Sequence, residues 1–272
     1  MKILSNAQTH TTWCDGGNSA EEMIQAAIKH NFVSLGFSVH GWTPYEPCSI
    51  TIEREELYRR ELRGLREKYR GQIEIIIGAE RDALYERDFS QFEYVIESTH
   101  GMVGQDGEFF FVDWSADRTE KFVHENFGGD YYAYAAAYYR KLADVASKSD
   151  ALFLGHIDLL TKFNEGNRTF DESDPRYLKG AFEAAQAAIE RGLPLEMNTG
   201  AISRGYRVTP YPNKPILKFI REHNGEIMIN SDAHSAAGIA TGFDLCVELA
   251  KEAGFDHVLY LRSKGLEEVG LV

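Results

Sequence analysis

Residues 6–17, NAQTHTTWCDGG, place a glutamine, a histidine and an aspartate where a metal ion could be held. Gln8 and His10 are two apart, so on a strand both side chains leave the same face. Asp15 follows in the next loop. Two histidines at 8 and 10 would form a strong ligand pair. Here the first is a glutamine, which offers only a neutral amide oxygen. Imidazole and carboxylate donors together suit zinc, manganese or iron.

Similar residues recur along the chain, each just past an apolar run. His40 follows FVSLGFSV (32–39), Glu80 follows IEIIIGA (73–79), and His100 lies two residues past EYVIES (93–98). His156 follows ALFLG (151–155), and Asp232 and His234 come shortly after EIMIN (226–230). Five of the nine histidines fall at such positions; His30, His124, His223 and His257 do not. A lone histidine after a strand is usually a satisfied polar residue near the surface. Six or more such groups at one barrel mouth would repel or go unpaired without a cation, so the set predicts a metal cluster.

The elements that would position them alternate. Helical patterns at 19–31, 53–71, 130–148, 175–192, 214–225 and 242–254 separate short apolar runs at 32–39, 73–79, 93–98, 151–155, 193–197, 226–230 and 257–261. Ser19 and Glu22 have capping-box spacing. Alternating β and α with uniformly apolar strands means a parallel sheet covered by helices. For 272 residues, a closed TIM-like barrel is expected over an open doubly wound sheet. In a parallel barrel the C-terminal strand ends share one face, where sites are built. No Pro/Gly/Ser-rich linker divides the chain, so residues 1–272 are expected to form one domain. The YYAYAAAYY stretch (131–139) reads as a helix packed on the barrel with its hydroxyls reaching solvent. The charged segment 53–70 reads as a solvated face.

Composition narrows the function. Twenty-nine basic against 42 acidic residues leave a net charge of −13, which repels phosphate backbones and argues against nucleic-acid binding. A phosphorylated small molecule stays compatible if metal ions supply local positive charge. No apolar run reaches membrane-span length. MKILSNAQTH has no apolar core ahead of its polar residues, so no secretory signal is expected. Cys14, Cys48 and Cys246 are odd in number and scattered, which predicts a reduced, cytoplasmic protein and no zinc finger.

Taken in order, QTHTTWCDG (8–16), SVH (38–40), GAE (78–80), STH (98–100), GHID (155–158), LEMNTG (195–200) and SDAH (231–234) resemble the polymerase-and-histidinol-phosphatase (PHP) family, monofunctional histidinol-phosphatase type. The resemblance runs over nearly the whole chain. It implies a distorted (β/α)7-type barrel carrying two or three divalent ions at the strand ends. Gln8, His10, Glu80 and Asp232 would surround the first metal. Glu80 would bridge to a second, completed by His100 and His156. Asp15, His40 and His234 would hold the third. A carboxylate has two oxygens, and paired metals sit about 3.5–4 Å apart, so a bridging Glu80 is chemically sensible.

The departure is Gln8, where the family usually has histidine. Gln8 could coordinate through its oxygen, the site could persist at lower affinity on the other three ligands, or it could be empty and activity reduced; retention is favoured. The implied activity is hydrolysis of a phosphomonoester, L-histidinol phosphate, in histidine biosynthesis. Nucleotide or sugar phosphates are the alternative, as is a metal-binding homologue weakened by Gln8. Asp232 and His234 are expected to move the proton needed by the leaving alkoxide. Arg204, Arg207 and Lys162 are candidates to hold the phosphate. Trp13, Trp42 and Trp114 fall in loops near the same face. Glu46 or Asp113 could receive the substrate's ammonium, and the sequence does not choose between them.

Overall fold

The computed structural model describes residues 2–271. In chain order its elements are β1 (Ser5–Asn6), α1 (Ala20–Lys29), β2 (Ser34–His40), α2 (Ile52–Lys68), β3 (Glu74–Asp82), β4 (Tyr94–Ser98), β5 (Gly101–Val103) and β6 (Phe109–Phe111). There follow α3 (Ala116–Phe127), α4 (Tyr131–Ala146), β7 (Phe153–Leu154), α5 (Pro175–Arg191), β8 (Leu195–Asn198) and the short α6 (Gly200–Ser203). The chain ends with α7 (Lys214–Glu222), β9 (Ile227–Asn230), α8 (Phe243–Ala253), β10 (His257–Arg262) and β11 (Gly265–Gly270).

Nine strands form one curled sheet in the order β1-β2-β3-β4-β7-β8-β9-β10-β11. Neighbours are parallel from β1 to β10, and β11 returns antiparallel on β10. An isolated parallel bridge, Thr9 to Ala233, joins the chain just past β1 to the chain just past β9. Two backbone hydrogen bonds make it: His10 N–H donates to Ala233 O at 2.9 Å, and Ala233 N–H to Gln8 O at 3.2 Å. The expected all-parallel sheet is thereby corrected to a mixed one. In GLEEVG only Leu266 and Val269 are half-buried and the rest exposed, a weak apolar signal that hides an edge strand. The β5–β6 hairpin and α3, within 101–127, were also absent from the sequence reading.

Side-chain alternation along β3 sorts the core. Ile75, Ile77 and Ala79 join the large cluster between sheet and helices. Ile76 points to the opposite face, into a small cluster with Tyr94, Ile96, Phe153 and Met228. With a period of two, Gly78, Glu80 and Asp82 continue that inner face toward the strand's C-terminal end. Gly78 is required there: a Cβ would stand 2.3 Å from the Tyr94 ring. The ring crosses to donate its hydroxyl to Ala7 O at 2.6 Å. Apolar residues thus fill the concave side of the curled sheet below, and carboxylates open above.

The helices start and stop where local chemistry dictates. Ser19 and Glu22 form the capping box of α1. Asp174 caps α5 with Pro175 in its first turn, and Gly192 closes it in a left-handed conformation. α4 is the helix expected for the tyrosine-rich stretch, and it packs on α5; Tyr131 and Tyr132 stay partly exposed, but Tyr134, Tyr138 and Tyr139 are buried, against the expectation that the hydroxyls reach solvent. Tyr138 donates to Thr99 O at 3.1 Å and Tyr139 to the Tyr177 hydroxyl at 2.7 Å, and both are fully buried. A helix covered on a wide face buries even phenols, provided a buried acceptor is in reach. Tyr138 thereby ties α4 to the segment carrying His100. No helix among the described residues is long and apolar enough to cross a membrane.

Candidate metal centre

The inner-face carboxylate of Glu80 stands at the middle of the strand-end residues. Its Oε1 lies 2.9 Å from His156 Nε2 and 3.3 Å from His100 Nε2. Its Oε2 lies 3.3 Å from His10 Nε2 and 3.5 Å from His40 Nδ1. The two oxygens therefore serve different histidine pairs. His10 Nε2 is also 3.2 Å from Asp232 Oδ1. Beyond it, Asp15 sits among three imidazoles, 3.8 Å from His10, 3.6 Å from His40 and 3.1 Å from His234. The His10 ring is stacked between those of His40 and His234, with centroids 4.4 and 4.3 Å away. Three donor groups could hold an ion, His10–Asp15–His40–His234, His40–Glu46–His100 and Glu80–His100–His156, each with donor atoms within 4.8 Å of one another.

These residues are buried, which sets their electrostatics. Burial opposes protonation of His10 and His100, yet the facing carboxylates outweigh it and raise both pKa values well above the ordinary range. Burial likewise opposes ionisation of Glu80, Asp15 and Asp232, and the imidazoles, with Arg204 at Asp232, hold all three below the usual carboxylate range. His234, buried beside the charge on His10, is pushed down. The centre thus asks for positive charge in more places than protons can comfortably fill.

Orphaned atoms make the same point. His10 Nε2 and Glu80 Oε2 are buried with no hydrogen-bond partner. His10 Nε2 and Glu80 Oε2 face each other at 3.3 Å without making a hydrogen bond. Unmatched buried polar atoms are costly. A divalent ion would satisfy imidazole and carboxylate lone pairs together, so this donor set fits one.

Around the ring, an outer layer fixes its members. Asp82 Oδ2 accepts the backbone N–H groups of His100 at 2.8 Å and Gly101 at 3.2 Å, and lies 3.4 Å from His100 Nδ1. Glu196 accepts His156 N–H at 2.9 Å and side-chain amides from Asn198 and Asn230. Burial pushes Glu196 up to about 7. Asp232 holds a left-handed conformation, φ 47°, unusual outside glycine, and Gly200 makes room for it: a Cβ there would stand 2.5 Å from Asp232 Oδ2. The sequence reading missed Asp82, although a step of two from Glu80 along one strand was a legible signal.

Gln8 is fully buried, and its Oε1 accepts from Asn198 Nδ2 at 3.3 Å. Its Nε2 has no partner. The amide oxygen, the atom of Gln8 able to ligate, thus accepts one hydrogen bond and keeps its second lone pair.

A cavity of about 310 Å³ opens over the ring. Arg204 lines it, donating to Asp232 Oδ2 at 3.1 Å and standing 3.3 Å from His234 Nδ1. Lys162 also lines it but is held by Asp113, through the backbone oxygen at 2.8 Å and Oδ2 at 3.1 Å. Arg207 does not reach the cavity. It is buried against Glu172 at 2.7 and 3.0 Å and Thr161 O at 2.7 Å. Among the three tryptophans only Trp114 lines the cavity. Trp13 donates to Glu61 on α2 at 3.0 Å, and Trp42 packs edge-on to Tyr85.

A curled α/β sheet with histidines and carboxylates converging past its strand ends, under a cavity lined by Arg204, defines the class of α/β proteins with a candidate metal centre. The chain belongs to the PHP domain family, whose pattern matches residues 6–200. It is 23% identical over 299 residues to a Schizosaccharomyces pombe protein named "Probable histidinol-phosphatase", covering 100% of this chain and 93% of that one. It is 24% identical over 264 residues to the Bacillus subtilis "Histidinol-phosphatase", covering 88% and 96%. Among solved structures, a Listeria monocytogenes chain superposes with a TM-score of 0.77 at 22% identity, covering 88% of this chain and 98% of its own. The Lactococcus lactis histidinol phosphate phosphatase, solved with zinc, L-histidinol and phosphate, gives 0.70 at 19% identity, covering 98% and 100%.

Proposed function

We propose that the chain is a metal-dependent phosphomonoesterase that hydrolyses L-histidinol phosphate to L-histidinol and phosphate, a step of histidine biosynthesis. The observation that carries this reading is Glu80 dividing its two oxygens between two histidine pairs beneath a cavity lined by Arg204. The names of the two curated relatives, both covered nearly end to end, support the substrate.

In this reading residues 1–272 form one domain, a distorted (β/α)7-type barrel closed near the Thr9–Ala233 bridge. Two or three ions, with zinc favoured by the Lactococcus lactis complex over manganese or iron, would be held by His10, Glu80 and Asp232, by Glu80, His100 and His156, and by Asp15, His40 and His234. Gln8 borders the first set. When bound, such ions supply a water of lowered pKa and positive charge for the phosphoryl oxygens. Water's oxygen joins phosphorus in line, the ester P–O bond breaks, and the leaving alkoxide takes a proton. Arg204 binds and orients the phosphoryl group, its planar fork suiting two oxygens. Asp232 and His234, beside Arg204 and Asp15, steer that proton to the leaving oxygen through solvent in the cavity, and Asp232 also orients Arg204 toward the phosphoryl group. Lys162, neutralised by Asp113, is a weaker claim on phosphate. Free Cys14, Cys48 and Cys246 fit a reducing compartment, with the cytoplasm as the proposed location.

Phosphate release from a panel of phosphomonoesters by the metal-loaded chain tests the reading. L-Histidinol phosphate should give the highest kcat/KM. Equal or higher values for nucleotide or sugar phosphates sink the substrate assignment. A second reading, a weakened enzyme, is favoured by Gln8 itself, a buried neutral amide whose Nε2 has no partner and which gives a weaker donor than imidazole. Bound metal without turnover, restored by Gln8→His, would identify it.

A further inference from the structure

We propose that Glu46 reads the positive charge on the organic part of the substrate and makes the cavity selective for phosphomonoesters that carry an ammonium close to the ester. The proposal rests on the phosphatase reading above.

Four carboxylates line the cavity: Asp15, Glu46, Asp113 and Asp232. Three are matched. Asp232 holds Arg204 at 3.1 Å, Asp113 holds Lys162 at 3.1 Å, and Asp15 lies among three imidazoles. Glu46 has no lysine or arginine partner among the described residues. Among the described residues its ion-pair contact is His40 Nδ1 at 3.8 Å, and that nitrogen is nearer to Glu80, at 3.5 Å. Yet Glu46 is only 9% exposed. A carboxylate so enclosed is costly unless a cation meets it.

The loop that presents Glu46 is built to hold it. Thr43 Oγ1 accepts its N–H at 3.0 Å, and Ser49 Oγ donates to its carbonyl at 2.8 Å. Ile50 N–H donates to His40 O at 2.9 Å, tying the loop's end back to β2. Cys48 Sγ donates to Oε1 at 3.4 Å. The carboxylate is therefore placed in advance, as a selective contact should be.

Position decides between Glu46 and Asp113. In histidinol phosphate the ammonium nitrogen is four bonds from phosphorus, roughly 4–5 Å away. Its receptor must stand beside the phosphoryl site. The Glu46 carboxylate does, its donor atom grouping with those of His40 and His100 within 4.8 Å. Asp113 is already neutralised by Lys162.

The same grouping could bind a further metal ion, and the test separates the two. The native, Glu46→Gln and Glu46→Asp chains are loaded with zinc, and zinc content is measured alongside kcat/KM for L-histidinol phosphate and p-nitrophenyl phosphate. The ratio of the two kcat/KM values should fall about 10- to 100-fold in Glu46→Gln, with the loss in KM, and recover in part in Glu46→Asp. Zinc content should match the native chain. An unchanged ratio overturns the proposal, as does loss of a zinc equivalent. If the native chain hydrolyses p-nitrophenyl phosphate but not histidinol phosphate, the substrate reading fails. Glu46 is then decided on ethanolamine phosphate against ethyl phosphate, where a ratio equal in native and Glu46→Gln chains overturns it.

Discussion

Glu80 Oε1 and His156 Nε2 stand 2.9 Å apart at the ends of two strands 76 positions apart in sequence, both side chains almost wholly buried. The other oxygen of Glu80 is turned to His10 and His40. One carboxylate thus couples two halves of the centre. Glu80→Gln replaces a doubly negative-facing group by one oxygen and an N–H group that repels a cation. Metal content should drop by at least one equivalent, and activity by about 100-fold or more, since even outer-layer groups cost 10- to 100-fold. Full metal content in Glu80→Gln by elemental analysis would remove the bridging role.

Gln8 invites the opposite change. Its oxygen accepts from Asn198, and its Nε2 is buried without a partner. Gln8→His supplies an imidazole in place of a neutral amide. Competition against a chromophoric chelator should show the weakest-held ion retained about 10-fold or more tightly. If affinity stays the same, Gln8 does not limit that site.

Asp82 supports His100 from behind, by its backbone N–H and at Nδ1. Asp82→Asn keeps the shape but loses the charge that orients the ring and strengthens it as a donor. Metal affinity should fall about 10- to 100-fold. Asp82→Glu should restore part of it. A metal affinity matching the native chain in Asp82→Asn would reduce Asp82 to a loop anchor.

Arg204 and Arg207 lie three residues apart and should behave differently. Arg204→Ala should raise KM and weaken inhibition by inorganic phosphate about 10- to 100-fold, with little change in melting temperature. Arg207→Ala leaves Glu172 buried without its guanidinium, at a cost of about 3–5 kcal/mol of stability. Kinetics and thermal melts of both variants check the contrast. Its reversal would return Arg207 to the phosphate site.

The metal-free chain should lose stability as pH rises. His10, His40 and His100 have folded pKa values above their unfolded ones, because facing carboxylates outweigh burial. Their contribution is complete below about pH 6.5 and lost as pH climbs through the folded values. Burial pushes Glu196 to about 7 and, with Glu172, Asp158 to about 7, so both add to the loss between about pH 4 and 7. Glu80, Asp15 and Asp232 are depressed and act at the acid end, their contribution lost as pH falls below about 4. The metal-free melting temperature should therefore fall from about pH 6 to pH 9. Metal should flatten that slope, since binding releases protons and tightens with pH. A metal-free chain that melts higher at pH 9 than at pH 6 contradicts this account.

Most of the centre was legible before any coordinates. His10, His40, Glu80, His100, His156 and Asp232 were marked by one rule, a polar residue at the end of an apolar run, and parallel strands carry such ends to one rim. Arg207 obeyed the same positional logic and still went elsewhere, because Glu172, 35 residues away in sequence, lay closer than the cavity. The tyrosines of α4 were judged by their spacing, which reports a face but not the acceptors buried beneath it.

By itself the sequence determined the periodicities, and hence the alternation of strands and helices and the rim of donors. Those are local properties, set by side-chain direction at a period of 2 or 3.6. The tertiary structure alone decided which oxygen of Glu80 meets which imidazole, that Gln8 turns to Asn198, that Lys162 is neutralised by Asp113 while Glu46 is left without a cation, and that β11 makes the sheet mixed. Each is a distance between residues far apart in the chain. Electrostatic and hydrogen-bond energies fall off over a few ångströms, so only the folded arrangement could assign the partners.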